Sequence, residues 1–424
     1  MRPDRSALKQ IRYRDVVPTM NVVLSSAPAQ SHLFDAPADS DDEFGIYLHV
    51  PFCSHICPYC DFNTYSGQSA RIPAYVEAIK RDAAIWGKQF DGRTAGSIFL
   101  GGGTPSLLAP IQIKDILTTC ESAFDLAPER EVTMEANPNN LDEKYCSALL
   151  ESGVNRLSIG AQTLDRRGLR VLGRLHEAEE TASAVAAARR AGFENVSLDF
   201  IYGWPGQTIE QWRSDLGLLL SGEVGGRPPD HLSLYGLIVE PGTPMADAVH
   251  RGILSPVDDD TAADFYELAM TMVADAGWVH YEIANWASSA RMVSRHNAVY
   301  WRNGDYAGIG AGAHGHVRNR RMMNQPSPAR YIAALNRAEP VVSNVEDISE
   351  NTAMGETMML GLRLLEDGVS VQSFAQRHGV SLFDTFAPQL SRLTSIGLLE
   401  VDQRRVRLTA RGVLLANSVC GEFL

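Results

Sequence analysis

No apolar run in this chain approaches membrane-spanning length, and no hydrophobic core near the N-terminus reads as a secretion signal. Basic charge is in short supply. Lys and Arg number 38 against 51 Asp and Glu, and the formal net charge of -13 argues against a general nucleic-acid binder. Cysteine is scarce too, at six in 424 residues. Cys120, Cys146 and Cys420 are scattered and read as buried thiols, which suits a reducing cytoplasm rather than a disulfide framework. What remains is an ordinary globular composition, 45% apolar, long enough for two or three domains. No internal repeat stands out.

The other three cysteines lie together in Cys53-Ser54-His55-Ile56-Cys57-Pro58-Tyr59-Cys60, a CxxxCxxC run just after the apolar Ile46-Tyr47-Leu48-His49-Val50. Three soft thiolates on one short loop can hold three corners of a 4Fe–4S cube, leaving the fourth iron open to a small ligand. A structural zinc site is the alternative, with His49 or His55 as fourth ligand. Zinc sites more often close with a second CxxC or an HxxxH, and none follows here. The loop resembles the CxxxCxΦC signature of the radical S-adenosylmethionine (SAM) superfamily, with Tyr59 in the aromatic position. That resemblance implies SAM bound through its amino and carboxylate groups at the open iron.

Residues 1–42 are rich in breakers and poor in core formers, and they read as a disordered tail; Met20 is a second candidate start. From residue 45 the pattern alternates. Short apolar runs predict strands over 45–50, 97–100, 131–135, 156–159, 196–201 and 232–237. Amphipathic spacing predicts helices over 74–86, 111–123, 142–151, 177–191 and 209–220. Six βα units in series imply a parallel sheet covered by helices, an α/β fold with its chemistry at the strands' C-terminal ends. A helix over 261–276 and a strand over 279–284 follow.

The strand ends carry unusual residues. Gly101-Gly102-Gly103-Thr104-Pro105 follows the second strand and would let a ligand approach backbone groups closely. Glu135 ends the third strand, Gln162 the fourth, and Arg174 lies shortly beyond. Asp199 sits inside the apolar fifth strand, where an acid is costly unless paired. Each alone suits an ordinary cap or ion pair; together they converge on one mouth at the strands' C-terminal ends.

With these motifs the chain is similar to the oxygen-independent coproporphyrinogen III oxidase group of radical SAM proteins. The resemblance covers roughly 45–320 and implies a partial (β/α)6 barrel. It implies SAM contacts at Tyr47, Gly102, Gly103, Thr104, Glu135, Gln162, Arg174 and Asp199, with Cys53, Cys57 and Cys60 on the 4Fe–4S cluster. It divides the chain into a barrel core over 43–250, a barrel-completing region over 251–345 and a smaller C-terminal domain over 346–424. That last segment reads as helix, turn, helix and hairpin, an α+β module resembling a winged helix; the acidic whole speaks against DNA binding.

Two features point within the group. The oxidase carries a fourth cysteine two residues after the third, and this chain has Phe62 there. The segment His296-Asn297-Ala298-Val299-Tyr300-Trp301 is an HNxxYW motif that resembles the haem-chaperone branch. Taken alone it reads more readily as a buried histidine with core aromatics. Within the resemblance it implies haem, with His296 as axial ligand and Asn297, Tyr300 and Trp301 beside it. Arg318, Arg320 and Arg321 are candidates for haem propionates, their default being a solvated loop. Gly310-Ala311-Gly312-Ala313-His314-Gly315 fits GxGxxG only formally and reads as a turn near the SAM adenosine. The implied partners are haem, apo-haem proteins of respiration, a flavodoxin- or ferredoxin-like electron donor if SAM is cleaved, and a second copy in a homodimer. The implied place is the cytoplasm, with peripheral membrane contact during haem transfer. The alternative activity is radical decarboxylation of coproporphyrinogen III; a zinc scaffold is the third.

Overall fold

The computed structural model describes residues 43–424, so the tail expected over 1–42 lies outside the described residues. Six strands run in series: β1 Glu43–Val50, β2 Thr94–Gly102, β3 Asp125–Ala136, β4 Arg156–Gln162, β5 Asn195–Tyr202 and β6 His231–Gly236. Neighbours pair in parallel in that order. The helices between them are α1 Ile72–Gly87, α2 Pro110–Ala123, α3 Glu143–Glu151, α4 Ala178–Ala191 and α5 Ile209–Ser221. Their ends follow local chemistry. Thr208 and Gln211 exchange side-chain and backbone bonds in a capping box at the start of α5, and Gly222 closes it at φ 81°.

A seventh parallel strand, β7 Tyr306–Ile309, pairs with the free edge of β1. The six-unit count from sequence missed it because four residues carry too little periodicity. Antiparallel strands extend both edges, Asn285–Ala287 and Val279–Glu282 beyond β6, and His314–Val317, Arg320–Asn324 and Val342–Asp347 beyond β7. The result is one twelve-stranded mixed sheet. The helices α6 Asp259–Asp275 and α7 Arg295–Trp301 belong to this second region.

The two faces of the parallel strands differ, and this difference makes the site. Ile46, Leu48, Ile98, Leu100, Val132, Met134, Leu157, Ile159, Leu198 and Leu232 alternate along one face and are buried in the helix-covered core. The opposite face carries Tyr47, Thr133, Glu135, Arg156, Ser158, Ser197, Asp199, His231 and Ser233. Register keeps them level: Glu135 lies beside Ser158, Ser158 beside Ser197, and Asp199 beside Ser233. A half-polar parallel strand is unusual, and here it lines a concave interior.

The C-terminal module contains α8 Glu350–Gly361, α9 Val371–His378 and α10 Ala387–Ser395. With them goes a three-stranded antiparallel sheet ordered Val369–Ser370, Arg405–Leu408, Leu399–Val401. This matches the small α+β module expected from sequence. Among the described residues no helix is long and apolar enough to cross a membrane.

Candidate functional site

The cysteine loop leaves β1 at Pro51 and is pinned on both sides. Phe52–Cys53 pairs in parallel with Tyr65–Ser66, and Cys60 N–H donates to Cys57 C=O at 3.1 Å. Gly173 sits beneath, at φ 64°, where a Cβ would collide with Pro58. Cys53 accepts from Thr104 Oγ1 at 3.4 Å, and Arg174 Nη1 lies 3.6 Å from Cys57 Sγ. Burial pushes the thiols of Cys53 and Cys60 up, opposed by hydrogen bonds from Thr104 to Cys53 and from the Phe62 backbone to Cys60.

These three thiols fit a cluster better than zinc. Among the described residues no three ligand side chains converge on a single-ion geometry. Tetrahedral zinc would hold thiolates roughly 3.8 Å apart, given Zn–S bonds near 2.3 Å. A four-iron cube spreads them wider. His49, once an alternative ligand, is buried and turned away, its ring bonded to Tyr47 O–H at 2.9 Å and Asn63 C=O at 3.0 Å.

Beside the thiols opens a cavity of about 430 Å³, lined by all three cysteines and by Gly102, Gly103, Thr104, Glu135, Gln162, Arg174 and Asp199. The expected strand-end residues are therefore one surface, with the exception of Tyr47, which is outside the lining and bonds the buried His49 ring. Gly103 and Thr104 N–H groups are spent on Val50 and Phe52 carbonyls, both at 2.8 Å. A Cβ on Gly103 would meet those carbonyls and one on Gly102 would sit on the His49 ring, so the turn must be glycine. Gly102 N–H donates to Glu135 Oε2 at 3.0 Å. Gln162 adopts φ 66°, a left-handed backbone that a non-glycine residue holds only under constraint. Arg174 Nη2 donates to Asn137 Oδ1 at 2.6 Å and to Gly160 C=O at 3.0 Å, which aims its guanidinium across the strand ends.

Burial, then the charge of Asp199, pushes the Glu135 carboxyl up to about 7. Asp199 is raised by burial against hydrogen bonds from Ser233, Ser158 and Ser197. Two buried acids in one pocket, neither in a salt bridge among the described residues although the Arg156 charge reaches Asp199, can receive a cationic group. The sequence reading missed Asn137, Ser158 and Tyr235, which also line the cavity or orient its residues. Their signal was present, Ser158 and Tyr235 as polar residues at alternate strand positions and Asn137 one residue past the end of β3. At the rim Phe62, Leu175 and Ile238 are 67%, 65% and 67% exposed.

The HNxxYW segment forms α7, and the helix splits it between two environments. His296 is 1% exposed. Its Nδ1 bonds Ser97 Oγ at 2.9 Å and its Nε2 bonds Tyr300 O–H at 2.8 Å. Phe99 stacks on the ring, and a Cβ on Gly45 would touch it. Burial followed by the charge of Arg156 lowers its pKa to about 3. Asn297 N–H is capped by Ser294 Oγ. Trp301 lies instead on the C-terminal module's side, its ring under the Arg363 guanidinium at 4.7 Å. Neutral imidazole is right for iron, but here both nitrogens are engaged and the ring is enclosed. His296 as seated does not fit an axial-ligand role.

The basic loop is likewise engaged. Arg320 pairs with Asp347 at 2.7 Å, and Arg321 with Glu356 at 2.6 Å and Glu346 at 3.3 Å. The glycine-rich turn after β7 lies outside the cavity lining and is bound to α1 through Gly310 N–H on Asp82.

The residues 47–219 match the radical SAM superfamily, and 348–415 match the HemN C-terminal domain. A protein named heme chaperone HemW from Lactococcus lactis is 36% identical over 378 residues, spanning 89% of this chain and 96% of that one. Its namesake in Bacillus subtilis is 36% identical over 379 residues, 89% of this chain and 98% of that one. The solved structure of coproporphyrinogen III oxidase (HemN) from Escherichia coli, a radical SAM enzyme, aligns with a TM-score of 0.75. It covers 90% of this chain and 89% of that one at 21% identity, a likeness of fold. A thiolate loop at the mouth of a mainly parallel sheet, with a HemN-type C-terminal module, defines a radical SAM protein. Within that superfamily the chain belongs to the HemW family.

Proposed function

We propose that this protein is a haem chaperone: it binds a 4Fe–4S cluster on Cys53, Cys57 and Cys60, SAM across the strand ends, and haem, which it passes to apo-proteins such as respiratory cytochromes. The observation that carries this reading is identity running along nine-tenths of the chain to proteins named heme chaperone HemW. Phe62, at the cavity rim in place of the oxidase's fourth cysteine, supports it. The cluster supplies a reducible iron with one open coordination position. Thr104 and Arg174 stabilise thiolate charge at Cys53 and Cys57. Glu135 and Asp199 receive the cationic end of SAM, and Gly102 and Gly103 allow its close approach. Transfer to respiratory proteins places the work in the cytoplasm beside the membrane, and an electron donor of flavodoxin or ferredoxin type enters only if SAM is cleaved.

The test uses anaerobically reconstituted protein. It is titrated with haem by absorbance, then offered an apocytochrome, and in parallel given SAM, reductant and coproporphyrinogen III. Saturable haem binding with transfer, and no decarboxylation, is the expected result. Multiple-turnover decarboxylation without specific haem binding would establish the oxidase activity instead.

SAM binding should also report on Glu135. Its carboxyl titrates near 7 in the open site and must be ionised beneath a cation. Binding is therefore strongest above pH 7 and weakens as the pH falls, by up to about tenfold per unit. Calorimetry from pH 8 to pH 6 should show proton release that Glu135→Gln abolishes. An identical pH profile in the variant would remove Glu135 from the cation's site.

A further inference from the structure

Large apolar side chains left in water are not spread evenly over this molecule. Of the fourteen that are exposed among the described residues, five line the cysteine cavity: Ile56, Phe62, Leu175, Tyr235 and Ile238. They come from three separate stretches of chain, the cysteine loop, the segment after Gly173 and the end of β6, so the collar exists only in the folded protein. Apolar surface gathered around a pocket marks a contact site. The cavity itself, about 430 Å³, is toward the small end of the roughly 300–1,000 Å³ range of small-molecule sites, and SAM is its proposed occupant. A broader apolar ligand can then lie only across the mouth. Two histidines line the same cavity. His176 is buried, and its Nε2–H donates to Ala161 C=O at 3.1 Å. His55 is exposed on the cysteine loop beside Ile56, and its ring makes no hydrogen bond among the described residues.

An apolar collar with an exposed imidazole at its edge is the complement of a metalloporphyrin. We propose that haem lies across the mouth of the cysteine cavity, its ring against Phe62, Leu175 and Ile238 and its iron on His55. The proposal rests on the haem reading above and moves the axial ligand from the enclosed His296 to the cysteine loop. Phe62, which stands where the oxidase has a cysteine, then serves as a ring contact. The propionates find no partner at this mouth. Arg174 is the one Arg or Lys in the lining, and Asn137 and the Gly160 carbonyl already hold it. Asp61 and Glu240 on the same lining are acidic. The propionates therefore face water, and affinity comes from the iron–imidazole bond and from burial of the ring. Haem held across a mouth, rather than inside a pocket, keeps an edge open to the apo-protein that takes it.

The test adds ferric haem to anaerobically reconstituted protein without reductant and follows difference absorbance and electron paramagnetic resonance, with cluster iron and sulfide measured in each variant. His55→Ala should lose the spectrum of imidazole-ligated haem and bind haem at least about tenfold more weakly. Free imidazole should restore that spectrum to His55→Gly. Iron-free protoporphyrin IX should bind wild-type protein more weakly than haem by a similar factor, and the dimethyl ester of haem should bind as haem does. Leu175→Asp with Ile238→Asp, outside the cysteine loop, should weaken haem and protoporphyrin alike. The protoporphyrin comparison and this double variant decide the matter even if His55→Ala disturbs the cluster. Wild-type spectrum and affinity in His55→Ala, or protoporphyrin binding as tightly as haem, overturns His55 as the ligand. Unchanged haem affinity in the double variant overturns the mouth as the site. Each of these leaves the haem reading intact. If wild-type protein binds no haem at all, the haem reading itself fails.

Discussion

Replacing Cys57 with serine will leave the reconstituted protein with almost no bound iron or sulfide. The loop supplies three thiolates and the cluster needs all three, because its fourth iron already lacks a protein ligand. Serine offers a hard, protonated oxygen where a soft thiolate is required. No other thiol can substitute. Cys120, Cys146 and Cys420 are buried elsewhere, and burial pushes their pKa values up to about 12, 12 and 11. Cys53→Ser and Cys60→Ser should behave as Cys57→Ser does, while Cys120→Ser should keep full iron. Cys57 is half-buried on a surface loop, so the variant should retain the wild-type circular dichroism spectrum. Iron and sulfide analysis beside visible absorption decides it. Full iron in Cys57→Ser would mean that the cluster is held otherwise than by this loop.

Much of this architecture is legible in the sequence, for a physical reason. The parallel strands bury one face under helices, so their apolar residues stand out against amphipathic neighbours, and all six strands in series fall where the apolar runs predict. The cavity is also legible, because glycine at 101–103 and acids at 135 and 199 contradict the strand pattern around them. What escaped is what depends on three-dimensional closure. Strand β7 is too short to show periodicity, and its partner β1 lies more than 250 residues earlier in the chain. The inner face of Ser158, Ser197 and His231 reads locally as polar noise until register sets the residues side by side. His296 shows the limit most clearly. Sequence marks it as a candidate ligand, yet only the packing of α7 reveals that Ser97 and Tyr300 already claim both ring nitrogens.

Asp82→Ala should cost the fold on the order of 3 kcal/mol, since several buried donors lose their acceptor at about 1–3 kcal/mol for each left unsatisfied. The side chain is 1% exposed on α1 and joins elements distant in sequence. Its Oδ2 accepts from Tyr331 O–H at 2.6 Å, Gly310 N–H at 3.1 Å and Asn324 Nδ2–H at 3.2 Å. Asn324 also donates to the carbonyls of Gly308 and Gly310, both at 3.0 Å, so the carboxylate holds the turn after β7 against α1. Alanine leaves these donors buried without their acceptor. Asparagine keeps the shape and one acceptor, so Asp82→Asn should cost less. The pH dependence separates the two contributions. Burial raises the carboxyl from its ordinary 3.8 to about 6, opposed by the bonds from Tyr331, Gly310 and Asn324. A folded pKa above the unfolded value means that wild-type stability from this group is fullest below pH 4 and declines as the pH rises through about 6. The advantage of wild type over Asp82→Asn should therefore shrink between pH 4.5 and pH 7, by about 2 kcal/mol. Urea unfolding at the two pH values, followed by tryptophan fluorescence, measures both effects. An Asp82→Ala midpoint equal to wild type would show that the turn after β7 is held without Asp82, and a gap independent of pH would show that its carboxyl titrates normally.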